Sequence, residues 1–180
     1  MQVEDTFIEG LKIIRPNVFP DERGYFFEAY NQKRYAANGI SETFIQDNVS
    51  KSSKNVLRGL HFQNPPFAQG KLVSVIRGAV LDVAVDIRKG SSTYGKHFKI
   101  ELTEENKTQF YIPPGFAHGF LTLEDNTIFS YKCTQVYNKE SEGSILWNDQ
   151  ELNIDWNAEG PIVSEKDQIA APFNQFKSQF

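Results

Sequence analysis

The sequence predicts an all-β protein, built as a β-sandwich or a jelly-roll barrel. Aromatic residues make up 13% of the 180 residues, and Phe alone occurs 15 times. Such bulky rings are enriched in strands, and frequent Gly and Pro favour sheets over helical bundles. Many short strand-like stretches with turn signals between them are typical of sandwiches and barrels.

The clearest strand pattern lies in Lys71–Arg88, where Arg77-Gly78 offers a turn. After the turn, apolar residues alternate with a set that contains two aspartates: Leu81, Val83, Val85 and Ile87 against Asp82, Ala84, Asp86 and Arg88. This period of two predicts a strand with one apolar face. The two aspartates would then face either solvent or a polar-lined cavity inside a barrel, and both interpretations stay open.

The remaining elements follow the same signals. Further strands are predicted at Gly10–Ile14, Gly24–Tyr30, Thr43–Ser50, Val56–Phe62, Lys96–Leu102, Thr108–Ile112, Gly119–Leu123 and Ile128–Val136. One short helix is predicted at Asn31–Asn38, closed by Asn38-Gly39. The less regular tail, 138–180, is expected to wrap around a jelly roll that covers roughly 10–137, so that residues 1–180 make one domain.

Composition limits the function. The formal net charge is -4 and the isoelectric point is about 5.4, which gives no general attraction for nucleic acid or an anionic membrane. Cys133 is the only cysteine, so no intramolecular disulfide can form. The N-terminus lacks the features of a signal peptide, and no apolar stretch approaches the ~20 residues of a membrane span. We expect a cytoplasmic protein.

Metal and nucleotide-cofactor chemistry find little support. The three histidines are His61, His97 and His118, and none forms the close His-x-His pair typical of jelly-roll metalloenzymes. His97 lies among lysines and is interpreted as a surface residue. There is no P-loop, Rossmann fingerprint or G-x-S-x-G elbow, and Cys133 is expected to be a packed small residue.

Acid–base chemistry remains. The groups that could carry it are His61, Lys71, Asp82, Asp86, Tyr131 and Asp167. Each also has a plain structural explanation: a hydrogen-bonded histidine, a half-buried tyrosine or a solvated lysine. The residue pattern by itself does not decide between these explanations.

Six longer strings identify a family. They occur in the order DERGYFFEAY, QDNVSKS, VLRGLHFQ, QGKLVSVIRGAVLDVAVDIRKGSSTYGK, YIPPGFAHGFLTL and SEKD. Together they resemble the dTDP-4-dehydrorhamnose 3,5-epimerase family over nearly the whole chain, from about Phe7 to Ala171. One departure is Val49, since the family more often has histidine after the Q-D-N run; the change is expected at the substrate rim.

The resemblance implies an activity. It implies a cupin-type jelly-roll barrel with a few short peripheral helices, forming a homodimer with no cofactor and no catalytic metal. Such an isomerase inverts C3 and C5 of dTDP-4-dehydro-6-deoxy-D-glucose to give dTDP-4-dehydro-L-rhamnose in dTDP-rhamnose biosynthesis. Both carbons flank the C4 ketone, so the reaction needs a base, a proton donor on the other ring face and a partner for the enolate oxygen.

The resemblance also implies residue roles. His61 matches the base, Asp167 the carboxylate that orients it, Lys71 the group beside the enolate oxygen, and Tyr131 the opposing acid. Tyr137 matches the aromatic residue that stacks on thymine. Other substrate contacts are matched by Arg23, Glu28, Gln46, Asp47, Asn48, Arg58, His118, Glu142 and Lys166.

One feature conflicts with regular strand geometry. Arg58 and His61 are an odd number of residues apart, so a regular strand would point them to opposite faces. Either Gly59 marks a bulge that brings both to the cavity, or Arg58 serves the cavity rim or a neighbouring subunit.

Four other functions compete with this interpretation. A 3-epimerase or a 3,4-ketoisomerase would act on the same nucleotide sugar. A non-catalytic carbohydrate-binding barrel would not need a histidine–carboxylate pair beside a lysine. A metal-dependent oxygenase is disfavoured by the absence of His-x-His.

Overall fold

The structure, a computed structural model that describes all residues from 1 to 180, confirms the all-β class. Its strands are β1 Gln2–Asp5, β2 Lys12–Arg15, β3 Val18–Asp21, β4 Gly24–Phe27, β5 Gln46–Ser52, β6 Val56–Gln63, β7 Lys71–Arg77, β8 Ala79–Asp86, β9 His97–Thr103, β10 Gln109–Ile112, β11 Phe116–Thr122, β12 Thr127–Cys133, β13 Glu142–Ser144 and β14 Ile162–Val163. The helices are α1 Gln32–Ala36 and α2 Glu165–Gln168, with 3-10 turns at Lys139–Ser141 and Phe173–Gln175.

Two main sheets form a cupin-type jelly roll. The first sheet has the order β1-β2-β10-β7-β12-β5, and the second has the order β13-β6-β11-β8-β9 with β14 also paired to β6. All pairs in these sheets are antiparallel except β14 with β6. A separate hairpin, β3–β4, belongs to neither sheet. None of the helices has the length and apolar character needed to cross a membrane.

The interior between the sheets is apolar on one side and polar on the other. A cluster of buried aromatic and branched residues fills the apolar part, among them Val73, Phe110, Phe120 and Phe129. These residues come from strands of both sheets, so their burial holds the sheets face to face. The polar part lies where β6, β7, β11 and β12 face one another.

The outer face of the second sheet carries another core. The C-terminal segment packs Leu152, Ile154, Trp156 and Phe173 against it. The apolar side of β8, including Val83 and Val85, faces this segment, whereas Val80 and Ala84 face the interior. The aspartates of β8 therefore point inward, and both are fully buried. Of the two orientations left open, solvent exposure is wrong.

Some boundaries differ from the predicted ones. The strand predicted at Gly24–Tyr30 ends at Phe27, and the one predicted at Ile128–Val136 ends at Cys133. β1, β3, β13 and β14 were not predicted; the last two have only three and two residues, too few to show a period. His97, interpreted as a surface residue, is half-buried, and burial lowers its pKa.

Candidate active site

A cavity of about 520 Å³ opens between the two sheets. Seven of the residues singled out in the sequence line it: Arg58, His61, Lys71, His118, Tyr131, Lys166 and Asp167. They come from β6, β7, β11, β12 and α2, elements distant in sequence. A closed barrel brings such strands together around one interior, and the site is a product of that closure.

Gly59 explains how Arg58 and His61 reach the same cavity. In the pairing of β6 with β11, His61 lies opposite His118, but Arg58 lies opposite Phe120, so β6 holds one extra residue. Gly59 has a φ of 131°, and a Cβ there would lie 2.5 Å from the Cα of Gly119. The predicted bulge is confirmed, and only glycine fits where the two backbones approach this closely.

His61 and Asp167 form a hydrogen-bonded pair. His61 Nε2 lies 2.6 Å from Asp167 Oδ1, and the Gly59 N–H donates to the other carboxylate oxygen at 3.3 Å. Asp167 is buried on α2, whose N-cap is the Ser164 side chain. Burial raises the pKa of Asp167, but the bonds from His61 and Gly59 outweigh it and leave that pKa below its ordinary value. The carboxylate can therefore fix the histidine's tautomer.

Lys71 and Tyr131 face this pair from the opposite sheet. Lys71 is 9% exposed, and its side-chain amine makes no hydrogen bond or ion pair within the protein; burial lowers its pKa against the opposing charges of Cys133, Asp82 and Glu142. Burial also raises the pKa of Tyr131, although Arg58 and Asn48 act in the other direction. The phenol is therefore protonated at neutral pH and available as a donor.

A second histidine–carboxylate pair lies beside the first. His118 Nε2 is 2.9 Å and 3.0 Å from the two carboxylate oxygens of Asp82. Burial lowers the pKa of His118, with Asp82 opposing this effect and Lys71 and His61 adding to it. The net direction favours a neutral ring that donates its Nε2–H to Asp82.

A smaller cavity of about 130 Å³ continues from the first and shares His61, Lys71 and Tyr131 with it. Its other predicted residues are Gln46, Asn48, Tyr137 and Glu142. Glu142 accepts from the Tyr137 hydroxyl at 3.2 Å and pairs with Lys166 at 2.5 Å. These bonds join an exposed aromatic ring to the helix that carries Asp167.

Three predicted contact residues do not line either cavity. Arg23 is in the β3–β4 hairpin, 85% exposed and paired with Asp21. Glu28 pairs with Arg34, and Asp47 pairs with Lys132 on the outer face of the first sheet. Val49 also lies on that outer face and is 65% exposed. The expectation that it lies at the rim of the substrate cavity is therefore wrong for the cavity of its own chain.

Several other residues that were not predicted also line the cavities. Ser50 follows Gln46 and Asn48 at a spacing of two on β5, a signal that could have found it. Ile162, Val163 and Ser164 also border the larger cavity. They come from the irregular tail, where no periodicity marks them.

The arrangement suits proton transfer on both sides of a bound molecule. A histidine on one sheet is bound to a carboxylate on α2, and a protonated phenol and a lysine lie on the other sheet. No group of three or more His, Cys, Asp or Glu side chains is placed to hold a metal ion. A substrate carbon next to a ketone could lose a proton to one sheet and gain one from the other.

Comparisons with known proteins point to one family. The family model described as dTDP-4-dehydrorhamnose 3,5-epimerase matches residues 5–175. The enzyme of that name from Salmonella typhimurium is 52% identical, over 97% of each chain. The crystal structure of its Elizabethkingia anophelis counterpart has a TM-score of 0.92 at 53% identity, over 97% of each chain.

A second solved structure comes from Legionella pneumophila. It is a dTDP-6-deoxy-D-glucose-3,5-epimerase in complex with dTDP-4-keto-L-rhamnose. Its TM-score is 0.94 at 49% identity, covering 98% of this chain and 94% of that one.

Proposed function

The chain belongs to the dTDP-4-dehydrorhamnose 3,5-epimerase family, so it is an isomerase of dTDP-rhamnose biosynthesis, and we propose how its cavity performs the reaction. The substrate is dTDP-4-dehydro-6-deoxy-D-glucose, which is inverted at C3 and C5. The observation that carries the proposal is the placement of the His61–Asp167 pair and Tyr131 on facing sheets of one cavity.

His61 is the base. The C4 ketone acidifies the protons on C3 and C5, because loss of either proton gives an enolate. His61 removes such a proton, and the hydrogen bond to Asp167 stabilises the imidazolium that results. Since Asp167 is buried and its pKa lies below the ordinary range, the carboxylate stays ionised throughout.

Tyr131 is the acid that completes the inversion. A single group cannot easily reach both faces of a ring carbon, so removal and return of the proton need two groups. Tyr131 is on β12 of the first sheet, whereas His61 is on β6 of the second. The phenol delivers its proton to the face opposite the base, and inversion rather than simple exchange follows.

Lys71 holds the enolate oxygen between the two steps. Its amine is in the cavity and makes no bond to another side chain, so the substrate oxygen can become its partner. A cation fixed in a partly buried site interacts strongly with negative charge that develops beside it. Removal and return of a proton at a carbon next to the ketone change no oxidation state, so this mechanism requires no redox carrier.

The smaller cavity holds the nucleotide. Tyr137 is exposed at its mouth and can stack on the thymine ring, while Gln46 and Asn48 line its wall. Arg58 and Lys166 supply positive charge for the diphosphate in an otherwise acidic chain. Asp47 is not part of this wall, because it faces away from the cavity.

Arg23 and Glu28 require a second copy of the chain. The hairpin that bears Arg23 stands apart from both sheets and exposes Val18, Phe19, Tyr25 and Phe26. An exposed apolar hairpin of this kind marks an interface. We therefore propose a homodimer in the cytoplasm, in which each hairpin places Arg23 and Glu28 at the cavity of the other subunit.

The activity is tested by incubating the purified enzyme with dTDP-4-keto-6-deoxyglucose in D₂O, without added metal, and analysing the product by NMR. Deuterium at both C3 and C5 is the expected result. Deuterium at C3 alone would make the protein a 3-epimerase, and no incorporation would contradict the proposal.

Subunit mixing tests the homodimer. Arg23→Ala and Lys71→Ala enzymes are each expected to be nearly inactive at low substrate concentration. After exchange of subunits, about a quarter of wild-type activity should return, since half of the dimers are mixed and each contains one intact cavity. No recovery, or a monomeric mass by light scattering, would count against the arrangement.

A further inference from the structure

Asp82 is a buried carboxylate without an assigned task. It lies at the centre of β8, is 0% exposed, and has one side-chain partner, His118 Nε2. Removing a carboxylate from water is costly unless charge or hydrogen bonds compensate for it. A neutral histidine alone is a modest compensation, so a cation nearby is expected.

Lys71 is the candidate cation. It is buried and lines the same cavity as His118, the ring that Asp82 binds, and the carboxylate of Asp82 opposes the effect of burial on its pKa. Besides Asp82 on β8, the charged and titratable groups around Lys71 come from five neighbouring elements: His61 and Arg58 on β6, His118 on β11, Tyr131 and Cys133 on β12, Glu142 on β13, and Lys166 and Asp167 on α2.

Most of these groups are already engaged. Glu142 is bound by Lys166 and Tyr137, and Asp167 is bound by His61. Burial keeps both Cys133 and Tyr131 in their neutral forms by raising the pKa of each. Asp82 is therefore the buried carboxylate that none of these groups neutralises, and Lys71 is the cation left to balance its charge.

We propose that Asp82 is a positioning residue of the epimerase reaction, which fixes the ring of His118 and maintains the Lys71 amine as an ammonium ion at the enolate oxygen. The inference rests on the proposed role of Lys71. It gives the second histidine–carboxylate pair a task different from that of the first, because His61 moves protons whereas His118 and Asp82 support a charge.

The sign of the effect follows from electrostatics. A nearby carboxylate favours the charged form of an amine, so its removal makes Lys71 lose its proton at lower pH. Activity that depends on the ammonium ion is then lost earlier as the pH rises. Substrate affinity changes little, because the proposed contacts to the nucleotide come from Tyr137, Gln46 and Asn48 and not from Asp82.

The test compares Asp82→Asn with Asp86→Asn, since both residues are fully buried on β8, but Asp82 binds the cavity residue His118 whereas Asp86 binds Arg88 outside the cavity. In Asp82→Asn, the alkaline limb of the kcat profile should move down by roughly one pH unit. The loss of kcat should be greater at pH 8.5 than at pH 6.5, with KM within about twofold of wild type. Asp86→Asn should leave the limb unchanged. A uniform loss at all pH values, or the same shift in both variants, would overturn the inference.

A second measurement does not depend on activity. Reductive methylation with formaldehyde and cyanoborohydride reacts with neutral amines, and mass spectrometry reports it at Lys71. In the wild type, Lys71 should resist labelling at pH 7, and in Asp82→Asn it should label more than about threefold faster. Rapid labelling of wild-type Lys71 at pH 7 would refute the inference even if Asp82→Asn failed to fold. If the labelling result holds but the enzyme shows no deuterium incorporation, it is the proposed function that fails.

Discussion

Strand β8 carries two buried aspartates that differ in the number of their hydrogen-bond partners. Asp86 accepts from the backbone and guanidinium of Arg88 and from the hydroxyls of Ser91 and Thr93, at 2.6 to 3.0 Å. Asp82, four residues earlier, has His118 alone. Both are 0% exposed, so burial does not distinguish them.

The difference separates structure from chemistry. At Asp86, every strong acceptor site is filled from the same chain, and the carboxylate ties the loop after β8 to the sheet. At the cavity, by contrast, the Lys71 amine has no partner in another side chain, and Asp82 accepts hydrogen bonds from His118 alone. Buried polar groups are normally satisfied, and groups left under-satisfied beside a cavity mark a functional site.

The largest expected effect is a loss of catalysis in the cavity, on substitution of His61. His61→Ala removes the base, so kcat/KM should fall about 10⁴-fold, near the upper end for acid–base catalysis. Solvent deuterium should no longer enter at C3 or C5 in NMR spectra. His97→Ala, a half-buried histidine outside the cavity, is the control and should retain activity. Near-normal exchange in His61→Ala would contradict the role.

Tyr131→Phe should separate exchange from inversion. Without the phenol, epimerisation should fall about 10²- to 10³-fold. Deuterium should still enter, since His61 can remove a proton and return a solvent-derived one to the same face. Product NMR with time measures both rates. The control is Tyr111→Phe, a buried tyrosine on β10 outside the cavity. Equal loss of exchange and inversion would disprove this division of labour.

Around Asp86, substitution should change the stability of the fold and not catalysis. Burial raises the pKa of Asp86, but the bonds from Arg88, Ser91 and Thr93 bring it to about 2. Because this pKa lies below the unfolded value of about 3.9, the ionised carboxylate stabilises the fold by about 2 kcal/mol above pH 5.

That contribution is lost as the pH falls, and about half of it should be gone by pH 3. Asp86→Asn should therefore lower the free energy of unfolding at pH 7 by about 2 kcal/mol, with a smaller difference from wild type at pH 3. Urea titrations at both pH values measure this, and kcat should stay unchanged. A stability loss that is independent of pH would show that the charge is not responsible.

The smallest expected effect is at the nucleotide end of the site. Tyr137→Ala removes an exposed ring, so binding of dTDP should weaken by about 1 to 2 kcal/mol, as for base stacking on protein aromatics. Calorimetric titration with dTDP measures it. Tyr137→Phe keeps the ring and loses only the bond to Glu142, and it should bind dTDP almost as well as the wild type. Wild-type affinity in Tyr137→Ala would exclude stacking.

Several elements were predictable from the sequence because their signals are local. The period of two in β8 indicated the strand and its apolar side, and the odd spacing of Arg58 and His61 indicated the bulge at Gly59. Whether the aspartates of β8 faced solvent or the interior was not predictable. That depended on the C-terminal segment, which covers the apolar side of the strand from more than 60 residues away.

The sequence by itself determined the all-β class, the family and the identity of the groups that can move protons. Those properties follow from residue types and short-range spacing, which the chain carries without folding. The tertiary structure decided which groups meet: it placed His61 against Asp167 across 106 residues, put Asp82 beneath His118, and left Arg23 outside the cavity of its own chain. The physical reason is closure of the two sheets, since the position of each inward side chain depends on strands that pair far apart in sequence.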